Sequence, residues 1–256
     1  MTEVLLYILC GLAAGTLGGY LGLGGGVVMV PFLTILVGIP IKEAVPISIT
    51  AILATSLASS NEYLKKEMVD LKFTVILCLF MVIGASTGSY ISRFVSGEAI
   101  QVIFSILVVY TAISFLKNRK ETDQTVQQAN RQKNTIICIF IALGSGIIAA
   151  LLGIGGGAIL IPLLYLLIGI PLTTARGTSS LLVGFSSGAA SLVYLIQGQI
   201  DFQITAGVII GILLGGKIGG YLGTIAKPFA VKIIFFILMM YLAFKLSYGP
   251  IAEYFG

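Results

Sequence analysis

Long apolar runs, separated by short polar or glycine-rich breaks, dominate this amino-acid sequence. A run of about 20 apolar residues is long enough to cross a hydrocarbon core about 30 Å thick as a helix. Charges, glycines and prolines mark the ends of the runs, which in the first half of the chain lie at residues 4–21, 26–39, 44–61, 72–92 and 98–116. The pattern predicts an all-α polytopic membrane protein.

The second half of the chain repeats the first. Residues 22–26 read GLGGG and residues 153–157 read GIGGG, an offset of 131. The same offset relates further identical residues: Pro31 and Pro162, Tyr63 and Tyr194, Asp70 and Asp201, and Gly84 and Gly215. Matches at one fixed offset are typical of a duplicated unit.

A polar, Gln-rich segment at residues 117–133 separates the two copies and is typical of a linker. We therefore divide the chain into a first transmembrane repeat (1–117), a linker (118–134) and a second transmembrane repeat (135–256). Because basic connections beside spans favour the cytoplasm, the linker is expected inside and both chain ends outside.

An odd number of crossings in each half would invert the second copy relative to the first. The five apolar elements of the first half therefore predict two inverted five-helix repeats, with about ten membrane helices that include two short half-helices. The alternative joins the first two elements of each half into one broken helix and gives a four-plus-four arrangement.

Composition supports a lipid environment. Of the 256 residues, 57% are hydrophobic and 10% charged, which is far from the balance of a soluble domain. The net charge is +5, but the cations are scattered in short connections, so no nucleic-acid partner is expected. The chain has no histidine, and its three cysteines stand singly in apolar runs, so we expect no metal site, no cofactor and no enzyme activity.

The glycine-rich breaks are the first candidates for a binding site, through Gly24, Gly25 and Gly26 in one half and Gly155, Gly156 and Gly157 in the other. Glycine is about 1 kcal/mol worse than alanine inside a helix, and it lets backbone approach a ligand. The short helices that follow would begin deep in the membrane, where free N–H groups and positive dipole ends can hold an anion. Close helix packing is the alternative explanation for the glycines.

Intramembrane charge is the second clue. The ten acidic residues all fall in predicted loops or at span ends, so a cation pathway through buried carboxylates is not expected. Lys217 lies near the middle of an apolar run, where a buried cation costs at least about 2.5 kcal/mol and an anionic substrate would be its partner. A snorkelling or neutral lysine is the alternative. Arg176 is the second candidate cation, for which anchoring by the positive-inside rule is the alternative.

Hydroxyls near the glycine breaks could donate to an oxyanion or coordinate sodium, although they more often cap or pack helices. They are Ser48, Thr50, Thr55 and Ser56 in one half and Thr178, Ser179, Ser180, Ser186 and Ser187 in the other. From this group we select Ser48, Thr178 and Ser179 as candidate ligands.

The two glycine segments, the stretch ARGTS at residues 175–179 and the stretch GQID at 198–201 resemble the TauE/SafE sulfite exporter family. The resemblance covers nearly the whole chain outside the linker. It implies a multi-pass transporter of the prokaryotic inner membrane for sulfite, organosulfonates or related small anions. In the first half, residues 44–48 read AVPIS and depart from the Gly-Thr-Ser pattern.

The residues and the resemblance together predict a secondary carrier that moves a small anion by alternating access. A proton or a sodium ion is the candidate coupling ion, and the oligomeric state is open. An anion channel is the nearest alternative, because the same positive site could serve it. An accessory membrane subunit is a third.

Overall fold

A computed structural model describes residues 2–116, 131–165, 169–225, 237, 240 and 241. These residues contain nine α-helices, of which two are short, and no strand. The helices are α1 (Thr2–Leu21), α2 (Gly26–Phe32), α3 (Ile41–Lys65), α4 (Leu71–Ser92), α5 (Gly97–Leu116), α6 (Arg131–Leu152), α7 (Gly157–Leu163), α8 (Leu172–Ile196) and α9 (Phe202–Ile225). Five of them, α1, α3, α4, α8 and α9, are long and apolar enough to cross a membrane. This confirms the predicted all-α, multi-pass class.

The first half holds the five predicted elements, with α2 extended by a π-helical segment, Leu33–Val37. α3 begins at Ile41 and ends at Lys65, so it is longer than the apolar run at 44–61, because polar helix ends project beyond an apolar run. Residues 117–130, which include most of the linker, and residues 226–236, 238–239 and 242–256, in the C-terminal part of the second repeat, lie outside the described residues. The ten-helix count, the linker and the chain ends therefore stay predictions.

The helices keep the offset seen in the sequence. α3 and α8 are each 25 residues long, and α2 and α7 are each seven residues long. In both pairs the first residues are 131 positions apart. The duplication of sequence is thus a duplication of local structure.

Helices of one half pack mainly on helices of the other. α1 lies along α9, where a Cβ on Gly15 would stand 2.6 Å from the Ile212 carbonyl oxygen and one on Gly19 would stand 2.7 Å from that of Gly216. α4 and α6 make the equivalent contact through Gly84. Small residues at helical spacing allow such close backbone approach in lipid. The contacts on α9 advance in the same direction as those on α1, so these two helices run parallel.

α3 and α8, the corresponding long helices of the two halves, cross in the centre of the bundle. Thr50 Oγ1 and Ser191 Oγ are 2.9 Å apart, and Ser59 Oγ and Ser180 Oγ are 2.7 Å apart. From Thr50 to Ser59 the residue number increases on α3, whereas from their partners Ser191 to Ser180 it decreases on α8. The two helices therefore run antiparallel.

Candidate functional site

Two glycine-rich loops meet in the buried core. We call residues 22–26 the first glycine loop and residues 153–157 the second. A Cβ added to Gly157 would lie 2.6 Å from Leu23 Cα, and one added to Gly26 would lie 2.7 Å from Ile154 Cα. Each loop therefore touches the other through backbone, and side chains at these glycines would separate them.

The conformation of the loops depends on glycine. Gly25 has φ 91° and precedes α2, and Gly156 has φ 84° and precedes α7. L-residues with a side chain rarely adopt this left-handed region. The carbonyl oxygens of Gly25 and Gly156 accept the first helical N–H groups of α2 and α7 at 2.9 to 3.1 Å. Both short helices consequently begin within the core of the bundle.

Ser48 and Ser179 hold the glycine loops from opposite halves. Ser48 Oγ on α3 donates to the Gly153 carbonyl at 2.7 Å, and Ser179 Oγ on α8 donates to the Gly22 carbonyl at 3.1 Å. Both serines are fully buried. Their hydroxyl protons are engaged by protein backbone in this conformation, so the two serines position the loops.

Thr178 stands at the edge of this region. Its Oγ1 accepts the Asp70 backbone N–H at 2.8 Å, which ties the connection between α3 and α4 to the start of α8. Thr178 therefore anchors a loop at one end of the bundle.

Arg176 is the buried cation of the site. Its side chain is 2% exposed, and a Cβ on Gly22 would stand 2.9 Å from both Cα and Cβ of Arg176. The guanidinium carbon lies 5.6 Å from the centroid of the Tyr20 ring. The Nε and Nη2 atoms have no hydrogen-bond partner in the described part of the chain. A buried charge in this state needs an anionic partner or is costly.

Lys217 lies elsewhere. It is exposed on α9, on the same face as Leu213, Leu214 and Ile218, which are 43% to 58% exposed. The neighbouring glycines take the opposite face, where a Cβ on Gly216 would meet Thr55 of α3 at 3.0 Å. The structure therefore does not bring Lys217 to the glycine loops. The sequence predicted that Lys217 lies near the middle of its span, but the glycines of α9 pack inward, so its side chain faces outward.

Ser56 and Ser187 are two further buried hydroxyl residues, which the sequence analysis placed among the hydroxyls near the glycine breaks but did not select as candidate ligands. They occupy the same position in the two halves and are 0% and 1% exposed. Neither Oγ has a hydrogen-bond partner among the described residues. Both halves have serine at this repeat position, and that match was the one sequence feature that could have singled them out. The sequence could not show which hydroxyls lack hydrogen-bond partners.

Ile52 and Val183, also repeat-related, fill the space beside both loops. A Cβ on Gly24 would stand 2.7 Å from Val183 Cγ1 and 2.8 Å from Ile52 Cγ2, and one on Gly155 would stand 2.8 and 3.0 Å from the same two atoms. Two branched apolar side chains thus fill the space beside both glycine loops.

A small pocket opens at the other end of the α3–α8 pair. It is lined by Lys42, Val45, Ser92, Arg93, Ile100 and Gln199. Val45 is the repeat equivalent of Arg176, and a Cβ on Gly153 would lie 3.1 Å from its Cα. The lining has two cations and no acid. Its residues come from four separate segments, so sequence spacing could not assemble them.

Known proteins resemble this chain over most of its length. The family model described as "Sulfite exporter TauE/SafE" matches residues 7–246. The chain is 30% identical over 223 residues to "Probable membrane transporter protein YunE" of Bacillus subtilis, covering 79% of this chain and 81% of the relative. A "Probable membrane transporter protein" of Haemophilus influenzae is 31% identical over 168 residues, covering 63% of this chain and 61% of the relative.

A plant protein also aligns. "Sulfite exporter TauE/SafE family protein 5" of Arabidopsis thaliana is 29% identical over 108 residues, covering 41% of this chain and 24% of the relative. No solved structure matches significantly.

Proposed function

Because the chain belongs to the sulfite exporter TauE/SafE family, we propose that it is a secondary transporter of a small sulfur oxyanion, with sulfite or an organosulfonate as substrate. Membership confirms the resemblance that the glycine segments and the ARGTS stretch gave in sequence, and with it a multi-pass membrane transporter. The prokaryotic inner membrane is the proposed location. Substrate and mechanism are argued from the site.

The state of Arg176 is the observation that best supports an anionic substrate. Its guanidinium is buried, and two of its nitrogens lack partners among the described residues. Guanidinium matches the oxygens of an oxyanion through paired N–H donors. Since Arg176 lies against Gly22, a bound anion there would also adjoin the first glycine loop.

The antiparallel α3–α8 pair supports inverted repeats. If corresponding membrane helices of two halves point in opposite directions, the halves are related by an axis in the membrane plane. Parallel packing of α1 on α9 and of α4 on α6 is compatible with this arrangement. The five-plus-five arrangement is therefore favoured over four plus four.

The same geometry supports alternating access. Arg176 lies at the start of α8 and Val45 at the start of α3, so the buried Arg176 and the small pocket lie at opposite ends of the antiparallel pair. Lys42 and Arg93 would draw anions to the pocket. By the positive-inside rule, the Arg176 end, beside Lys65, Lys66 and Lys72, would face the cytoplasm. Ile52 and Val183 fill the space beside both glycine loops, and we infer that they separate the two ends as the closed gate of a carrier would.

Purified protein in liposomes tests the proposal. Uptake of labelled sulfite, taurine and sulfate is measured with imposed sodium or proton gradients, against protein-free liposomes. Trans-side unlabelled sulfite should accelerate labelled uptake, because a carrier exchanges substrate through one site. Conductance without such counterflow would favour the channel. An absence of transport of all three anions by the purified protein would favour the accessory-subunit alternative.

A further inference from the structure

The hydroxyls along α3 and α8 differ in where they donate. Serine and threonine inside a helix commonly bond back to a carbonyl of the preceding turn. Thr55 Oγ1 bonds to the Ala51 carbonyl at 3.4 Å, and Ser186 Oγ bonds to the Val183 carbonyl at 3.1 Å. The adjacent Ser56 and Ser187 do not, and no described residue accepts from them.

The two exceptions occupy one repeat position. Ser56 and Ser187 are 131 residues apart, as are Thr55 and Ser186, which are both bonded. A buried hydroxyl without a partner is destabilising. Its occurrence at the same place in both halves therefore indicates a shared role that this conformation leaves unfilled.

Ser56 lies where the halves meet, and Ser187 is its buried repeat counterpart on α8. The Oγ atom of Ser56 is 3.7 Å from the position of a Cβ on Gly24, and its Cβ is 3.2 Å from that of a Cβ on Gly184 of the opposite half. Ser56 and Ser187 are each four residues, about one helical turn, beyond Ile52 and Val183, the pair beside both glycine loops. The serines consequently lie on either side of the Ile52 and Val183 pair, between the buried Arg176 and the small pocket.

We propose that Ser56 and Ser187 are paired hydroxyl donors that bind an oxygen of the substrate oxyanion at the midpoint of the path, when Ile52 and Val183 move apart. This inference rests on the proposed anion transport and adds the ligands of the central step. A hydroxyl can donate to an anion while its own lone pairs face the protein. Since the donors are related by the repeat and lie on opposite sides of the Ile52 and Val183 pair, an anion arriving from either end meets one hydroxyl and then the other, which suits a site used in both orientations of a carrier.

The experiment compares two repeat-related double variants in purified protein. In Ser56→Ala/Ser187→Ala, the Kd for sulfite should rise at least about tenfold through the loss of two hydrogen bonds. The Tm without ligand should hold or increase, because two unsatisfied hydroxyls are removed. The matched control is Thr55→Val/Ser186→Ala, which removes the adjacent, internally bonded hydroxyls and should leave the Kd within about twofold. Each single serine variant should give a similar part of the loss.

Four results would overturn the inference. One is an unchanged sulfite Kd in Ser56→Ala/Ser187→Ala, and another is an equal increase in the control. A third is an altered sodium dependence of transport with an unchanged sulfite Kd, which would assign the hydroxyls to a cation. The fourth is a wild-type protein that binds and transports none of the tested anions. That result rejects the proposed function itself, and it is distinguishable because the wild-type measurement fails before any variant is compared.

Discussion

Ser48 and Ser179 occupy the same position in the two halves, and each donates its hydroxyl to the glycine loop of the opposite half. The two bonds, to the carbonyls of Gly153 and Gly22, measure 2.7 and 3.1 Å. α3 therefore holds the second loop, and α8 holds the first. Any displacement of α3 against α8 pulls on both glycine loops at once, which couples the two ends of the site.

Replacing both serines should weaken this coupling. Ser48→Ala/Ser179→Ala removes two buried donors and leaves the loop carbonyls unpaired, at about 1 kcal/mol or more for each bond. We expect a lower Tm and slower counterflow in liposomes. Ser89→Ala is the control, because Ser89 Oγ bonds to the Ala85 carbonyl of its own helix. Equal counterflow rates in the double variant and the wild type would contradict the coupling.

Valine at Gly25 or Gly156 should abolish transport while the protein still inserts. The two glycines have φ 91° and 84°, which a β-branched residue does not tolerate. At Gly25 a Cβ would also stand 2.8 Å from the Ala14 carbonyl oxygen. Uptake is normalised to inserted protein, and Gly144→Val is the control because a Cβ there meets nothing within 4 Å. Normal uptake in both loop variants would return these glycines to a packing role.

Arg176→Gln should lower sulfite affinity strongly, by about tenfold or more for a lost charge-assisted contact. The Tm without ligand should hold or rise, since a buried unpaired cation is removed. Arg176→Lys should recover part of the affinity, because the charge returns without the planar fork. Lys217→Gln removes a cation from the exposed face of α9 and should leave the Kd near the wild-type value. A loss of affinity in Lys217→Gln and none in Arg176→Gln would restore the lysine as the substrate's partner.

Alanine at both Ile52 and Val183 should convert the carrier into a leak. The two side chains close the space beside Gly24 and Gly155, and their truncation leaves a cavity there. We expect anion conductance in liposomes that no longer depends on trans substrate, with a reduced Tm. Leu57→Ala, on the same helix but 60% exposed, should leave counterflow intact. Counterflow without leak in the double variant would place the closure elsewhere.

Glu67 and Gly198 offer a matched test of inversion. They are repeat-equivalent loop residues with positive φ, 56° and 67°, and both are exposed. In a background without the native cysteines, Gly198→Cys should react with an impermeant reagent in intact cells, and Glu67→Cys should react only after lysis. A cysteine at either chain end should react in intact cells too. Equal labelling of Glu67→Cys and Gly198→Cys would favour the four-plus-four arrangement.

Much of this protein could be predicted from its sequence. In lipid every backbone group must be bonded within the chain, so long apolar runs become helices almost wherever they occur. The glycine breaks are equally local, because only glycine readily adopts the backbone angles seen at Gly25 and Gly156. The repeat offset and the family resemblance also depend on residues alone. The domain limits at the linker stay a prediction, since residues 117–130 lie outside the described ranges.

Tertiary packing decided which polar side chains face the site. Sequence gives the depth of Lys217 along its span, but the face it presents depends on the glycines of α9 packing against α1 and α3. The sequence placed Arg176 near the start of its helix, where anchoring at the membrane interface was an equal explanation. In the structure the first glycine loop packs against Arg176 and buries it. The same reason applies to Ser56 and Ser187. The sequence alone cannot distinguish a hydroxyl that bonds to its own helix from one that has no partner and faces a site. Only the crossing of α3 and α8 separates them.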